Sequence, residues 1–406
     1  MLKNYSGTFI PRSLNGPILT DSLGLPRFWV AVWSLYNSAD LANSSKIKEL
    51  RYVEAFYEFS DQLKGVGSLD DAISTINIEI LGEMLEAYFI AIQNQSNVNK
   101  SSQVKWHTAF QFVRDIVLRL SKSDLPLKQI QIIEARLNKL NLLYQQLRIS
   151  KQRTTEILRS LPASVIEALY LLLDPSSTTN PFKSISARWR VFTIFIMLLH
   201  QGLRRGELLL LPVDAVKSGF DSTLRKNRYW LSIIENPYEI DDPRYSKPGI
   251  KTASSIRQVP LSELTANIIQ EYADNYRGRP EHSFLINSQH KKPLSTEAIT
   301  VIFKKITESL PKEVLNELEQ RTGKTSISPH DLRHTCAVAR LNQLLSKGDS
   351  MDEALQKMRT FFGWARTSDM PRKYARAVFE DRLAGVWNNV FDDRVAILRA
   401  IPRNKK

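Results

Sequence analysis

The hydrophobic period changes along this chain, and that change limits what it can fold into. From Ser44 to about Ser150, apolar residues recur at helical spacing. "KIKELRYVEAFYEFSDQL" puts Ile47, Leu50, Val53, Phe56 and Tyr57 on one helix face. "IEILGEMLEAYFIAIQ", "VKWHTAFQFVRDIVLRL" and "LKQIQIIEARLNKLNLLYQQL" read the same way. Four helices with short polar breaks predict a compact all-helical domain. Its aromatic stripe of Phe56, Tyr57 and Phe59 reads as core rather than as a base-stacking platform. Further on, "ARWRVFTIFIMLLHQGLRRGELLLL" predicts a long buried helix ending near Gly202, with a second helix begun just after it. Between Arg228 and Pro260 the texture switches. "RYWLSIIE" and "SIRQVPL" are rich in β-branched and aromatic residues, with Pro, Gly and Asp marking turns between them. These stretches predict a small antiparallel sheet. "PLSTEAITVIFKKI" then returns to helix, with Ile299, Ile302, Phe303 and Ile306 on one face, and the remainder reads as helix to the end. The fold class is therefore mainly α with a small antiparallel β-sheet, an α+β arrangement.

The same walk divides the chain. Residues 1–40, where Gly, Pro and Ser interrupt any period, read as an irregular extension. Residues 41–150 form the helical domain. Residues 151–160, within the polar and basic "RISKQRTTEILRSLP", read as a linker, and residues 161–406 as a second domain with a C-terminal tail. The tail segment "VWNNVFDDRVAILRAI" is amphipathic and suited to docking on a neighbouring subunit.

Composition narrows the partners. Lys and Arg outnumber Asp and Glu by 56 to 42, a formal net charge of +14, which points to an anionic partner. Nucleic acid is the first candidate and a membrane surface the second. Cys336 is the only cysteine, so neither an internal disulfide nor a cysteine-built zinc site is available, and a reducing cytoplasm fits. The most apolar run, Val191 to Leu199, holds nine residues, where a membrane-spanning helix needs about twenty. "MLKNYSGTFIPRS" has no apolar signal-peptide core. A soluble, cytoplasmic protein without membrane contact is expected.

Four stretches carry the chemistry. "HQGLRRGEL" sets Arg204 and Arg205 just past a glycine, with Glu207 three positions after Arg204. "GIKTASSIRQVPL" sets Lys251 beside a turn between strand-like runs. "HDLRHT" spaces His330 and Arg333 three apart, on one face of a helix. "FFGWARTSDMPRKYA" carries Trp364 and Tyr374. Two guanidiniums can fork around one phosphate, a lysine on a hairpin tip can deliver a proton, and an imidazole and an indole N–H can add hydrogen bonds. A tyrosine hydroxyl can act as nucleophile. Its ordinary pKa is about 10, and dense positive charge around it favours the phenolate. Together these groups could attack a phosphodiester with side-chain cations stabilising the equatorial oxygens. No His/Asp/Glu cluster has metal spacing and no glycine-rich phosphate loop occurs, so neither metal nor cofactor is expected. Arg205 reads as an exposed DNA-backbone binder, His334 and Cys336 as packing beside the site, and His290 with Lys291 and Lys292 as a charged turn. His107 and His200 read as structural histidines.

These residues resemble the tyrosine recombinase family, the site-specific recombinases of phage-integrase type. "GLRRGEL" is similar to the family's first arginine motif, which implies Arg204 as a phosphate-binding arginine and Glu207 as its supporting acid. "GIKTASSIRQVPL" resembles the strand-turn-strand lysine motif, with Lys251 as the lysine. "HDLRHT" resembles the His-x-x-Arg motif, giving His330 and Arg333. "FFGW" resembles the Leu-Gly-His/Trp element, giving Trp364, and Tyr374 falls where the nucleophile belongs. It is also the only tyrosine after residue 276. The resemblance runs from about Leu161 to about Phe391; over the helical N-terminal part it matches the family's core-binding domain in type, not in any motif. Two departures stand out. Tyr374 lies ten residues after Trp364, one more than is usual in the family, and "SKGDSMDE" reads as an extra loop between Arg333 and Trp364. The resemblance implies a core-binding domain and a catalytic domain closing as a C-shaped clamp on double-stranded DNA, and a homo-tetramer on two DNA sites. It implies cutting and rejoining through a 3′-phosphotyrosyl intermediate without metal or ATP. A type IB topoisomerase-like relaxing enzyme and a non-catalytic DNA-binding protein on the same scaffold are the alternatives.

Overall fold

A computed structural model describes residues 1–5, 16–37, 43–95, 100–146, 160–223, 225–238, 242–244, 247–250 and 252–380. Helices dominate and the strands form two small antiparallel sheets. The chain divides into two compact units, Met1–Thr155 and Glu156–Lys406.

The first unit corrects the expectation for residues 1–40. Strands β1 (Leu2–Tyr5) and β2 (Gly16–Leu19) pair antiparallel, and α1 (Phe28–Asn37) follows. Leu19, Val30 and Trp33 belong to the unit's core, which rewards order that local propensity does not show. Arg27 secures the segment: its guanidinium lies over the Tyr57 ring, 4.0 Å from the centroid, and pairs with Asp61 at 3.4 Å. Then come α2 (Asn43–Lys64), α3 (Ser68–Ser74), α4 (Ile78–Gln93), α5 (Lys100–Asp124) and α6 (Leu127–Gln146). Phe56 and Tyr57 are buried in this core and Phe59 packs against it, on the Tyr88 ring.

The second unit is built around one helix. α7 (Ala163–Leu173) leads to α8 (Ile185–Gln201), in which every residue from Val191 to Leu199 is buried. A helix apolar all round needs neighbours all round, and α8 contacts α7, α9 (Arg205–Leu210), α10 (Glu263–Glu271) and α13 (Pro329–Ser346). Each large apolar side chain buried this way contributes roughly 1.5–3 kcal/mol. The Ser184 side chain caps the start of α8 by accepting from the Ala187 N–H, at 3.2 Å. Gly202 ends it at φ 57°, in the left-handed region. The sheet follows: β3 (Val216–Asp221), β4 (Lys226–Ile233) and β5 (Arg257–Leu261), in that order and antiparallel throughout. Val216 and Val259 both register with Leu231, so one face of the sheet joins the core.

The remaining helices are α11 (Thr296–Glu308), α12 (Lys312–Thr322), α13, α14 (Met351–Phe362) and α15 (Met370–Glu380). Ile299, Phe303 and Ile306 of α11 are buried, with Ile302 packed against the same core. "SKGDSMDE" is not an extra loop. It is the end of α13, a short turn and the start of α14, where the Glu353 N–H donates to the Ser350 hydroxyl at 3.3 Å. The linker positions 151–159 and the whole tail 381–406 lie outside the described residues.

Gly202 meets two constraints at once. Its positive φ disfavours any side chain, and a Cβ there would stand 2.3 Å from the Phe362 ring and 3.1 Å from Cys336 Sγ. Gly202→Ala is therefore expected to destabilise the protein by about 2–4 kcal/mol, combining left-handed strain with overpacking. Urea unfolding checks this: the midpoint should fall with little change in slope.

Candidate functional site

The site begins where α8 stops. The turn at Gly202 throws Arg204 clear of the helix and starts α9, so Glu207 lies one turn in, almost fully buried. Its carboxylate gathers three guanidiniums. Arg204 donates to Oε1 at 2.6 Å. Arg257, at the start of β5, donates to both oxygens at 3.1 Å each. Arg333 of α13 stands 3.7 Å from Oε2. Burial opposes a charge on Glu207, but the Arg257 hydrogen bonds, the cations of Arg257 and Arg333 and the Arg204 N–H hold its pKa below the ordinary carboxylate value. Three positive groups around one negative leave the cluster a net cation.

The three arginines also grip one stretch of backbone. Arg257 Nε donates to the Phe361 carbonyl at 2.7 Å, Arg333 Nη2 to Phe362 at 2.8 Å and Arg204 Nη2 to Gly363 at 3.4 Å. These consecutive carbonyls close α14, where the helix leaves acceptors unsatisfied and partial negative charge collects. Gly363 sits at φ 61°, and a Cβ there would meet the Ser254 carbonyl at 2.8 Å and Arg257 Nη1 at 2.9 Å. Arg333 also donates to the Gly202 carbonyl. Its side chain is only 3% exposed, and burial with neighbouring cations brings its pKa down to about 10. Arg204, 26% exposed, is the guanidinium of the three that solvent reaches.

α13 supplies the imidazoles. Pro329 occupies its first turn, where no N–H is needed, and Asp331 turns back to accept from the Ser328 N–H at 2.9 Å. His330 stands at the exposed rim, its ring 4.0 Å from that of His334. Partial desolvation of the ring, and then Arg333, lower the His330 pKa below the ordinary imidazole value. His334 is buried, and burial, followed by His330, takes its pKa down to about 3.

Tyr374 is fully buried on α15, with Pro371 in that helix's first turn. Its ring stacks on Trp364 at 5.2 Å and 14°, and Trp364 stacks on Phe362 at 4.9 Å and 13°. Its hydroxyl is hydrogen-bonded to His334 Nδ1. The expected bias toward phenolate is not met in this conformation. Burial raises the Tyr374 pKa above its ordinary value, outweighing the opposing pull of Arg333 and Arg204. The flanking Arg372 and Lys373 are exposed to solvent.

Of the residues singled out from sequence, Arg204, Glu207, His330, Arg333, Trp364 and Tyr374 gather in this one region. Lys251 lies outside the described residues. Arg205 is exposed, with Thr300 Oγ1 at 3.4 Å. His200 shares a 2.5 Å hydrogen bond with the Tyr170 hydroxyl in the interior. Two residues were missed. His334, read as packing, contacts the tyrosine hydroxyl; its spacing of four from His330 was the available signal. Arg257, within the strand-like "SIRQVPL", carried no motif signal of its own. Among the described residues, no group of His, Cys, Asp or Glu could hold a metal ion, and no helix is long and apolar enough to cross a membrane.

A sequence profile described as "Phage integrase family" matches residues 159–380, more than half of the chain. The chain belongs to the phage integrase family. Over 111 residues it is 33% identical to tyrosine recombinase XerC of Staphylococcus haemolyticus (strain JCSC1435), a match covering 26% of this chain and 33% of that protein. The chain thus spans about a third of the curated relative's length. The crystal structure of XerA recombinase aligns over 87% of this chain and 99% of its own, at 14% identity and a TM-score of 0.30.

The buried imidazoles make stability depend on pH. Burial takes His200 down to about 4 and His334 down to about 3, against about 6.5 in an unfolded chain. The unfolded state therefore binds more protons between those values, and stability falls as pH drops below about 6.5. From pH 7 to pH 5 each histidine should remove about 2 kcal/mol. Thermal or urea unfolding at the two pH values checks this; unchanged stability would contradict a neutral, buried pair.

Proposed function

We propose that this phage integrase family member is a site-specific DNA recombinase that cuts and rejoins duplex DNA through a 3′-phosphotyrosyl intermediate. The observation that carries the reading is the Arg204–Arg333 pair held on Glu207, with His330 at its rim and Tyr374 near enough for both guanidiniums to favour its ionised form. A net cationic pocket beside a tyrosine suits a phosphodiester, because guanidiniums stabilise the charge that builds on the non-bridging oxygens.

In the proposed reaction Tyr374, once exposed to the pocket, gives its proton to water as Oη attacks phosphorus, forming the O–P bond while the bond to the 5′-oxygen breaks. Lys251 gives that oxygen its proton. The 5′-hydroxyl of a partner strand then attacks the phosphotyrosine and returns the tyrosine, so the phosphodiester's energy is conserved and no nucleotide hydrolysis is required. His330 and the Trp364 indole N–H add hydrogen bonds to the phosphate. Residues 41–150 serve as the core-binding domain, with 151–160 as the linker to a catalytic domain over 161–406. The two close on DNA as a C-shaped clamp, four copies act on two sites, and the protein works in the cytoplasm on integration, excision or resolution of DNA. The net charge of +14 supports the DNA partner.

Covalent capture on a nicked suicide substrate tests the reading. Wild type should give a slow protein–DNA band on a denaturing gel, in EDTA as well as in Mg²⁺. Tyr374→Phe should give none while still binding DNA. A band from Tyr374→Phe would assign another nucleophile, and loss of the wild-type band in EDTA with rescue by Mg²⁺ would overturn the metal-free mechanism.

Arg204→Ala separates catalysis from anchoring. One cation among many adds little to a salt-dependent affinity, whereas a guanidinium on the reacting phosphate lowers the barrier directly. The cleavage rate is expected to fall at least about 100-fold, with affinity changed by less than about tenfold. Equal losses would make Arg204 a DNA anchor.

A further inference from the structure

The nucleophile proposed above does not face the pocket's surface. Tyr374 is fully buried, its ring closes a stack of three aromatics with Trp364 and Phe362, and its hydroxyl meets His334. The same segment covers the arginines, since Phe362 and Gly363 supply carbonyls to Arg333 and Arg204. A buried phenol needs a partner for its hydroxyl, because leaving it unpaired in an apolar stack is unfavourable. Tyr374 belongs to a buried cluster that includes Ala337, Val338, Leu341, Met358 and Phe362. His334 is the partner, and it is itself held by its place on α13 against the His330 ring.

We propose that His334 is a positioning residue for the nucleophile: its Nδ1 holds the Tyr374 hydroxyl in the withdrawn, protonated state, and strand cleavage requires that bond to open. This rests on the recombinase reading, in which Tyr374 attacks the phosphate. In the withdrawn state the phenol donates to the neutral imidazole, and no proton changes owner. On release, Tyr374 exchanges the imidazole for the cationic pocket of Arg204 and Arg333. The arginines in turn exchange the Phe362 and Gly363 carbonyls for phosphate oxygens. Removing the acceptor at Nδ1 therefore weakens the withdrawn state.

The experiment uses the full chain without DNA, so it does not depend on catalysis. Tetranitromethane nitrates accessible tyrosines, and peptide mass mapping reads Tyr374 separately from the others. In wild type Tyr374 should resist nitration. In His334→Leu, which keeps bulk but cannot accept a hydrogen bond, its nitration rate should rise about tenfold or more, as expected for losing one buried hydrogen bond. His334→Asn, whose amide oxygen can take the place of Nδ1, should restore protection, which a merely structural role would not predict. Should His334→Leu fail to fold, His334→Gln makes the same comparison, because its amide oxygen matches Nε2 rather than Nδ1. On the nicked substrate, His334→Leu should form the covalent band faster than wild type. Tyr374 equally protected in wild type and His334→Leu, or equally nitrated in both, overturns the proposal. Loss of the covalent band in His334→Leu with Tyr374 exposed also overturns it, because His334 would then be needed for the chemistry itself. Survival of the covalent band in Tyr374→Phe is a different result: it removes the recombinase assignment of Tyr374 while leaving the nitration outcome to stand alone.

Discussion

One carboxylate organises the second unit's site. Glu207 is buried among Arg204, Arg257 and Arg333, and none of the four would be stable there alone. Like charges so close in a low-dielectric interior repel, and an isolated buried ion is strongly unfavourable. The arrangement holds because each guanidinium has several acceptors. Arg257 uses Glu207, the Ser255 carbonyl and the Phe361 carbonyl. Arg204 uses Glu207, the Ser255 hydroxyl and Gly363. Arg333 uses the Gly202 and Phe362 carbonyls. A cluster satisfied this fully is rigid, and its surplus positive charge is fixed in place before any anion arrives.

The carbonyls tie that charge to the tyrosine. α14 ends on Phe361, Phe362 and Gly363 as successive acceptors for three arginines drawn from three places: α9's leading turn, β5 and α13. Trp364 follows directly and stacks on Phe362, and Tyr374 of α15 stacks on Trp364. Any anion that takes hydrogen bonds from Arg204 or Arg333 competes with the very carbonyls that hold the aromatic stack. On the proposed reading, occupancy of the pocket and placement of the tyrosine are coupled through shared donors.

Residues whose chemistry is unusual for their surroundings were readable without a structure. An Arg-x-x-Glu turn after an apolar helix, or a His-x-x-Arg on one face, has few purposes, and those positions converge. The helices α8 and α11 and the strands β4 and β5 were likewise legible from period and β-branching. What escaped depends on partners far away in sequence. β3, "VKSGFD", has a lysine, a serine and a glycine and little strand character; it is a strand because Val216 pairs with Leu231. Residues 2–37 carry no clean period, yet Leu19 and Trp33 are bought into order by the helical core. Arg257 is tied to Glu207, fifty positions earlier. His334 looked like packing because its partner, Tyr374, lies forty positions later.

The tyrosine also shows why counting charges along the chain misjudges a pKa. Arg372 and Lys373 flank Tyr374 in sequence, but on a helix such neighbours point to other faces, and both are exposed to water that screens them. The cations that do act on the hydroxyl are Arg333 and Arg204, brought from other elements, and even they do not overcome burial. A phenol excluded from water loses the solvation that a phenolate requires, and that loss exceeds the attraction of guanidiniums already engaged with Glu207 and three carbonyls. Charge alone therefore does not ionise Tyr374. On the proposed reading, ionisation waits on movement: the same arginines that fail to ionise a buried phenol act at full strength once the ring has left its stack and their carbonyl partners have gone.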